Sequence, residues 1–346
     1  MESLIVDDQH TELVYIDSGI PPTDSYMTLF VIHGLVFDCH IWERLMDLAP
    51  ASGLRIVAVN RRGYPGSTPL SPADVETINY KGNDDEKRGL LRTLCIQLAT
   101  FIDSFSECNG LPPLSADGTA GGFAVVGWSM GCAFALGVAA CVETLPAAIQ
   151  RRFSANLRAI IFEEAADGAL GMDMHPKAYT PLLDTNIPAE QRVARWMTWM
   201  TSYFKHGDLS QRDPVPVEYV VPWDGRAPTL DNMSEAQVEK MAHQDCAWTS
   251  ELPMLVNMQP QLRESYEKAC FSQDVRRLLP RMKIWVITGD HTASFSLNAH
   301  FKMEADNARS GGGDLKFRIV PGGNHFMHWD EPKAVIGAFI DVLSRS

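Results

Sequence analysis

Ser129 stands in the run Gly127-Trp128-Ser129-Met130-Gly131, behind the apolar stretch Phe123 to Val126 and ahead of small, helix-compatible residues from Cys132 to Leu136. A strand that turns abruptly into a helix forces the residue at the turn into a strained backbone conformation. Glycines two positions before and two after then remove the side chains that would clash there. Such a turn presents its serine hydroxyl at the sheet end, and the chemistry it suggests is attack on an acyl carbonyl. A serine on an ordinary Gly-rich turn would share the spacing without the strand before it and the helix after it.

A serine hydroxyl is a weak nucleophile until a base takes its proton, and imidazole titrates in the range that suits this task. His325 occupies Val320-Pro-Gly-Gly-Asn-His325, directly after an apolar run and before the last helical stretch. His328 is the competitor, but lies further toward that helix, where a packing or surface role is the simpler reading. Acyl transfer also needs N–H groups aimed at the developing oxyanion. Met130, immediately after the nucleophile, offers one. The loop His33-Gly34-Leu35 offers the other, from Leu35 in preference to Gly34, with His33 read as a brace for the loop.

Elements that could position these groups recur along the chain. Apolar runs at Leu29 to Ile32, Ile56 to Val59, Phe123 to Val126, Ala159 to Phe162, Ile284 to Ile287 and Phe317 to Val320 each end in turn residues, with helix-length segments between them. This rhythm predicts an α/β fold with a mostly parallel central sheet flanked by helices, whose chemistry sits beyond the carboxyl ends of the strands. Gly110 to Gly122 reads as a loop and Gly311 to Gly313 as a joint. From Ala165 to Leu279 the strand rhythm stops, so residues 1–164 and 280–346 form the expected core and 165–279 an inserted helical cap.

The strand followed by His33-Gly34, the turn Arg62-Gly63-Tyr64-Pro65-Gly66-Ser67, the elbow at Ser129 and Gly323-Asn324-His325 resemble the α/β-hydrolase superfamily, in its order. The resemblance covers roughly Leu29 to Glu164 and Lys283 to Leu343. It implies a Ser–His–acid triad, and a serine at position 129 excludes the aspartate-nucleophile epoxide hydrolases and haloalkane dehalogenases. The family's usual acid lies three residues past the glycine of the strand that here ends in Gly289, a place held by Thr292. Glu164, ending Ala159-Ile-Ile-Phe-Glu163-Glu164, resembles the alternative acid of several dehalogenases and of the zearalenone lactone hydrolases, which pair it with a serine. Glu164 is the first choice, Asp290 the alternative, and Glu163 falls on the opposite strand face.

In the cap, Trp196, Trp199 and Tyr203 fall at helical spacing, and with Trp128 they are candidates for contact with an apolar substrate. No phosphate-cradling loop or zinc-ligand spacing is present, and Asp173-Met174-His175 and His328-Trp329-Asp330 are most simply surface residues, so no cofactor and no metal are expected. The net charge of −13 would repel a nucleic-acid backbone. Hydrophobic residues at 45% and charged residues at 21% fit a globular chain, and no stretch reaches the length of a membrane span. The segment Met1 to Asp17 lacks a leader pattern, and seven unpatterned cysteines fit free thiols, so a soluble cytoplasmic protein acting on a small molecule is expected. The activity anticipated is hydrolysis of an ester or lactone through an acyl-serine. Acyl transfer to an alcohol or amine, or ligand binding without turnover, are the other uses this arrangement allows.

Overall fold

The computed structural model describes residues 1–212 and 214–345. Its strands are β1 (Glu2–Ile5), β2 (Glu12–Asp17), β3 (Met27–Ile32), β4 (Leu54–Val59), β5 (Phe123–Trp128), β6 (Leu157–Glu163), β7 (Lys283–Gly289) and β8 (Leu315–Val320). They form one eight-stranded sheet in the order β1-β2-β4-β3-β5-β6-β7-β8. β1 and β2 pair antiparallel, as do β2 and β4, and every pairing among β3 to β8 is parallel. The α/β expectation therefore holds, with an antiparallel edge that the apolar-run pattern does not reveal.

β4, β5 and β6 are buried along their whole length, because helices cover both faces of the sheet. Two arginines interrupt these apolar runs without being left bare. Arg55 pairs with Asp17, and Arg158 donates to the carbonyls of Gly118, Gly121 and Leu343. The principal helices are α1 (Asp84–Asn109), α2 (Gly131–Ala140), α3 (Ala147–Asn156), α4 (Ala189–Met200), α5 (Gln259–Phe271), α6 (Ser294–Arg309) and α7 (Pro332–Ser344). α1 begins in a capping box between Asn83 and Glu86 and ends at Gly110, whose φ of 54° supplies the left-handed stop.

Between β6 and β7 the chain forms helices and loops and adds no strand to the sheet among the described residues. This segment does two different things. α5 lies on the flank, packed against α2 and α1. The stretch from Thr201 to His243 reaches loops at the carboxyl ends of strands: Phe204 N–H donates to His291 O, Asp38 N–H to Met241 O, and Phe37 pairs with Ala242 in an isolated bridge. No helix of the described residues is long and apolar enough to cross a membrane. All seven cysteines are free thiols.

Candidate active site

Ser129 follows β5 directly and has φ 53°, a left-handed backbone that a non-glycine residue adopts only when its surroundings enforce it. The enforcement is local. Ser129 N–H donates to Glu163 O at 3.0 Å, and Cys132 N–H returns to Ser129 O at 3.0 Å to begin α2. A Cβ on Gly127 would lie 2.4 Å from Gly131 O, and one on Gly131 would lie 2.3 Å from Ile32 O, so neither position admits a side chain. The strand, the serine and the helix are thus locked at a sharp elbow.

His325 lies in the loop between β8 and α7, with 1% of its surface exposed. Its Nδ1 is 3.2 Å from Glu164 Oε2, and an ionised carboxylate can only accept there, so the ring N–H donates. Glu164 is fully buried and also has positive φ, 54°. Its carboxylate is held from two further sides: Gly289 N–H donates to Oε1 at 2.6 Å, and the Thr292 hydroxyl donates to Oε2. Ser296 adds a hydroxyl 3.3 Å from His325 Nδ1 and 3.3 Å from Glu164 O. Asp290, the alternative acid, is engaged elsewhere, accepting from Gly322 N–H at 2.6 Å and facing His291 Nδ1 at 2.7 Å.

The loop after β3 closes on the serine from the other side. A Cβ on Gly34 would lie 2.8 Å from the Trp128 ring and 3.0 Å from Ser129 Cβ, which measures how closely this backbone approaches Ser129. Neither Leu35 N–H nor Met130 N–H donates to an acceptor among the described residues. Phe37 N–H donates to Leu35 O at 2.8 Å around Val36, whose φ is 72°. That is a tight turn with a β-branched residue in a disfavoured conformation, fully buried and therefore held by its neighbours. His33 braces it from beneath, with Nδ1 2.9 Å from Gly34 O and Nε2 accepting Arg61 N–H at 3.2 Å. Burial, and then the Arg61 charge, push the His33 ring well below its ordinary pKa, so it serves as a neutral strut.

A sequence model of the Alpha/beta hydrolase family matches residues 29–338. The chain belongs to this family. Solved structures of similar fold include a bromoperoxidase from Bacillus anthracis, 16% identical, with TM-score 0.53 and coverage of 100% of this chain and 99% of that one. Epoxide Hydrolase A from Mycobacterium thermoresistibile is 14% identical with TM-score 0.57, covering 98% and 97%. A structure from work on carboxylesterases of the thaumarchaeon Nitrososphaera gargenis is 15% identical with TM-score 0.51, covering 99% of each chain. A search of curated proteins gave no match.

The hydrolase's aromatic candidates sit as follows. Trp128 packs beneath the histidine loop, its ring against Phe326, His328 and Phe37 and its Nε1–H donating to His325 O at 2.8 Å, so it supports the His325 loop. Tyr203 is fully buried, with Arg226 over its ring and its hydroxyl donating to Asp330 at 2.7 Å. Trp196 and Trp199 both lie on the buried side of α4. Trp199 donates to Val220 O and meets Phe295, which in turn stands edge-on to the His325 ring at 4.8 Å. Phe295 and Ser296 escape sequence reasoning. Their only signal is their position at the start of the helix after the Gly289 loop.

His328 and Asp330, read from the sequence as packing or surface residues, have partners inside the fold, His328 as a fully buried residue and Asp330 as a partly buried one. His328 is fully buried with Nδ1 3.0 Å from Glu163 Oε1, and Asp330 accepts from Tyr203, Thr229 and Asn232. One cluster has ligand-type atoms within 4.8 Å of one another, namely Asp38, Cys39 and His40. Asp38 and His40 are engaged with each other, and Asp38 also with His243. Despite burial, hydrogen bonds from His243 and His40 hold the Asp38 carboxyl well below the usual range, while burial pushes the Cys39 thiol up.

Proposed function

We propose that this hydrolase cleaves a carboxylic ester or lactone of an apolar small molecule through an acyl intermediate on Ser129. The observation that carries the reading is the buried contact of His325 with Glu164, an imidazole oriented by an anion. The loop bearing His325 is tied to the elbow residue Trp128.

In this reading His325 takes the Ser129 proton as Oγ attacks the carbonyl carbon, and the carbonyl π pair moves onto oxygen. Leu35 and Met130 N–H groups, which have no acceptor among the described residues, receive that oxyanion. Collapse expels the alcohol oxygen, which takes the proton from His325. Water then attacks the acyl-serine with His325 as base, releasing the carboxylic acid and restoring the serine. Glu164 stabilises the imidazolium in both halves without itself taking the proton. Phe295 beside the base, backed by Trp199, favours an apolar or aromatic acyl or alcohol group.

Intact mass spectrometry after treatment with a fluorophosphonate tests the reading. A single adduct mapping to Ser129, absent in Ser129→Ala, is expected. An unmodified protein, or a Ser129→Ala variant that still hydrolyses aryl esters at the wild-type rate, would overturn it.

A further inference from the structure

The loop carrying His325 is built around Asn324, whose side chain is fully buried. Asn324 Oδ1 accepts Phe326 N–H at 3.0 Å, so the residues on either side of the histidine are tied to each other. Both Nδ2 hydrogens leave the loop, one to Thr201 O at 3.0 Å and one to Thr229 Oγ1 at 2.8 Å. The same Thr229 hydroxyl donates to Asp330 Oδ2 at 2.6 Å. Thr229 N–H donates to Thr201 O at 2.8 Å, which joins the two outside partners.

We propose that Thr229, in the segment between β6 and β7, is a positioning residue for His325, acting through Asn324. This rests on the reading of Ser129 and His325 as nucleophile and base. The group at this point must accept from an amide N–H and donate to a carboxylate at once, with Thr229 and Asn324 themselves fully buried. A hydroxyl does both through one small atom. A carboxylate would face Asp330 with no proton to give, and an amide would have to divide its two ends.

The inserted segment thus has a duty in the chemistry that is separate from touching substrate. The Trp128 bond to His325 O fixes the histidine's backbone, but the bridge through Asn324 fixes the turn on which the ring swings toward Glu164. Without it, one amide hydrogen is orphaned in the interior and Asn324 is free to reorient.

Thr229→Val, Thr229→Ser and Asn232→Ala would be compared by the rate of fluorophosphonate labelling at Ser129 and by kcat and KM on 4-nitrophenyl butyrate. Thr229→Val is expected to lower kcat and labelling by about 10- to 100-fold with KM within about twofold, the scale of a slight misplacement of a catalytic group. Thr229→Ser should stay within about threefold of wild type. Asn232→Ala removes a donor from the same Asp330 carboxylate but leaves the Asn324 tether, so it should lower the melting temperature without the loss of kcat. Should Thr229→Val fail to fold, Thr229→Cys, a much weaker donor, takes its place. A folded Val or Cys variant labelled at the wild-type rate overturns the proposal, as do Thr229→Ser and Thr229→Val losing equally. A wild-type protein that is not labelled at Ser129 overturns the underlying reading instead.

Discussion

The hydroxyl of Thr292 donates to the carboxylate of Glu164. Thr292 occupies the place, three residues past Gly289, where the resemblance puts the triad acid. The hydroxyl there serves a carboxylate supplied by the end of β6. With Gly289 N–H on the other oxygen and His325 on the shared one, the buried anion has donors on each side, as a charge removed from water requires.

Glu164→Gln is expected to lower kcat by roughly 10³- to 10⁴-fold, because an amide cannot stabilise imidazolium and offers one acceptor where the site supplies donors to two oxygens. Asp290→Asn should cost less than about tenfold, since the Asp290 carboxylate serves the Gly322 turn and His291 among the described residues. Steady-state kinetics on folded variants decide this. A crippled Asp290→Asn beside an active Glu164→Gln would place the acid on the other loop.

The acid should also be movable. Because the side chains at 292 and 325 converge on the same Glu164 oxygen, an aspartate placed at 292 would bring a carboxylate toward the His325 ring. Thr292→Asp combined with Glu164→Gln should therefore recover at least about tenfold in kcat over Glu164→Gln alone. No recovery in a folded double variant would mean that the β6 end is the only point from which an acid can reach this histidine.

Part of this site is legible in the sequence and part is not. β3 to β7 stand out because strands buried on both faces are largely apolar, and β8 is half-buried and shows through Phe317, Ile319 and Val320, whereas β1 and β2 are partly exposed and blend into their surroundings. The elbow is a local steric requirement, so the glycine spacing, read together with the apolar run before it and the helix-compatible run after it, reveals it. The empty acid position at 292 points to a carboxylate elsewhere, but that Thr292 would touch Glu164 depends on how β6 and β7 align, which spacing does not encode. His328 and Asp330 look like surface residues because their partners are remote in the chain: Glu163 for one, Tyr203 and Thr229 for the other. The turn at Val36 is hidden for a related reason. Its strained backbone is held partly by His243 N–H on Val36 O, a contact from some two hundred residues downstream.

Gly34→Ala should impair catalysis more than stability. The added methyl would meet the Trp128 ring at 2.8 Å and Ser129 Cβ at 3.0 Å, and the loop bearing Leu35 N–H would have to retreat. A loss of about 10- to 100-fold in kcat is expected, the scale of weakening one oxyanion donor, with KM changed far less. Wild-type turnover in this variant would show that the loop after β3 does not form part of the oxyanion site.

Asp167 sets a pH dependence of stability rather than of turnover. Burial pushes its carboxyl up to about 6 from an ordinary value of 3.8, with Lys302 and the Gly168 N–H only partly opposing. A carboxyl whose folded-state pKa is raised binds its proton more tightly in the native state than in the unfolded one. Its stabilising contribution is therefore complete below about pH 4 and is lost as pH rises through about 6. Above that, keeping the ionised group in place costs at most about 3 kcal/mol. Asp167→Asn keeps an oxygen to accept the Gly168 N–H at 2.8 Å and removes the charge. Its melting temperature should exceed that of the wild type at pH 8 by on the order of 2–6 °C and match it, within about 1 °C, at pH 4. Thermal unfolding at the two pH values reads this directly. An equal difference at both would mean that the Asp167 carboxyl does not change its protonation between them, and that the burial around it is compensated by charges other than its own.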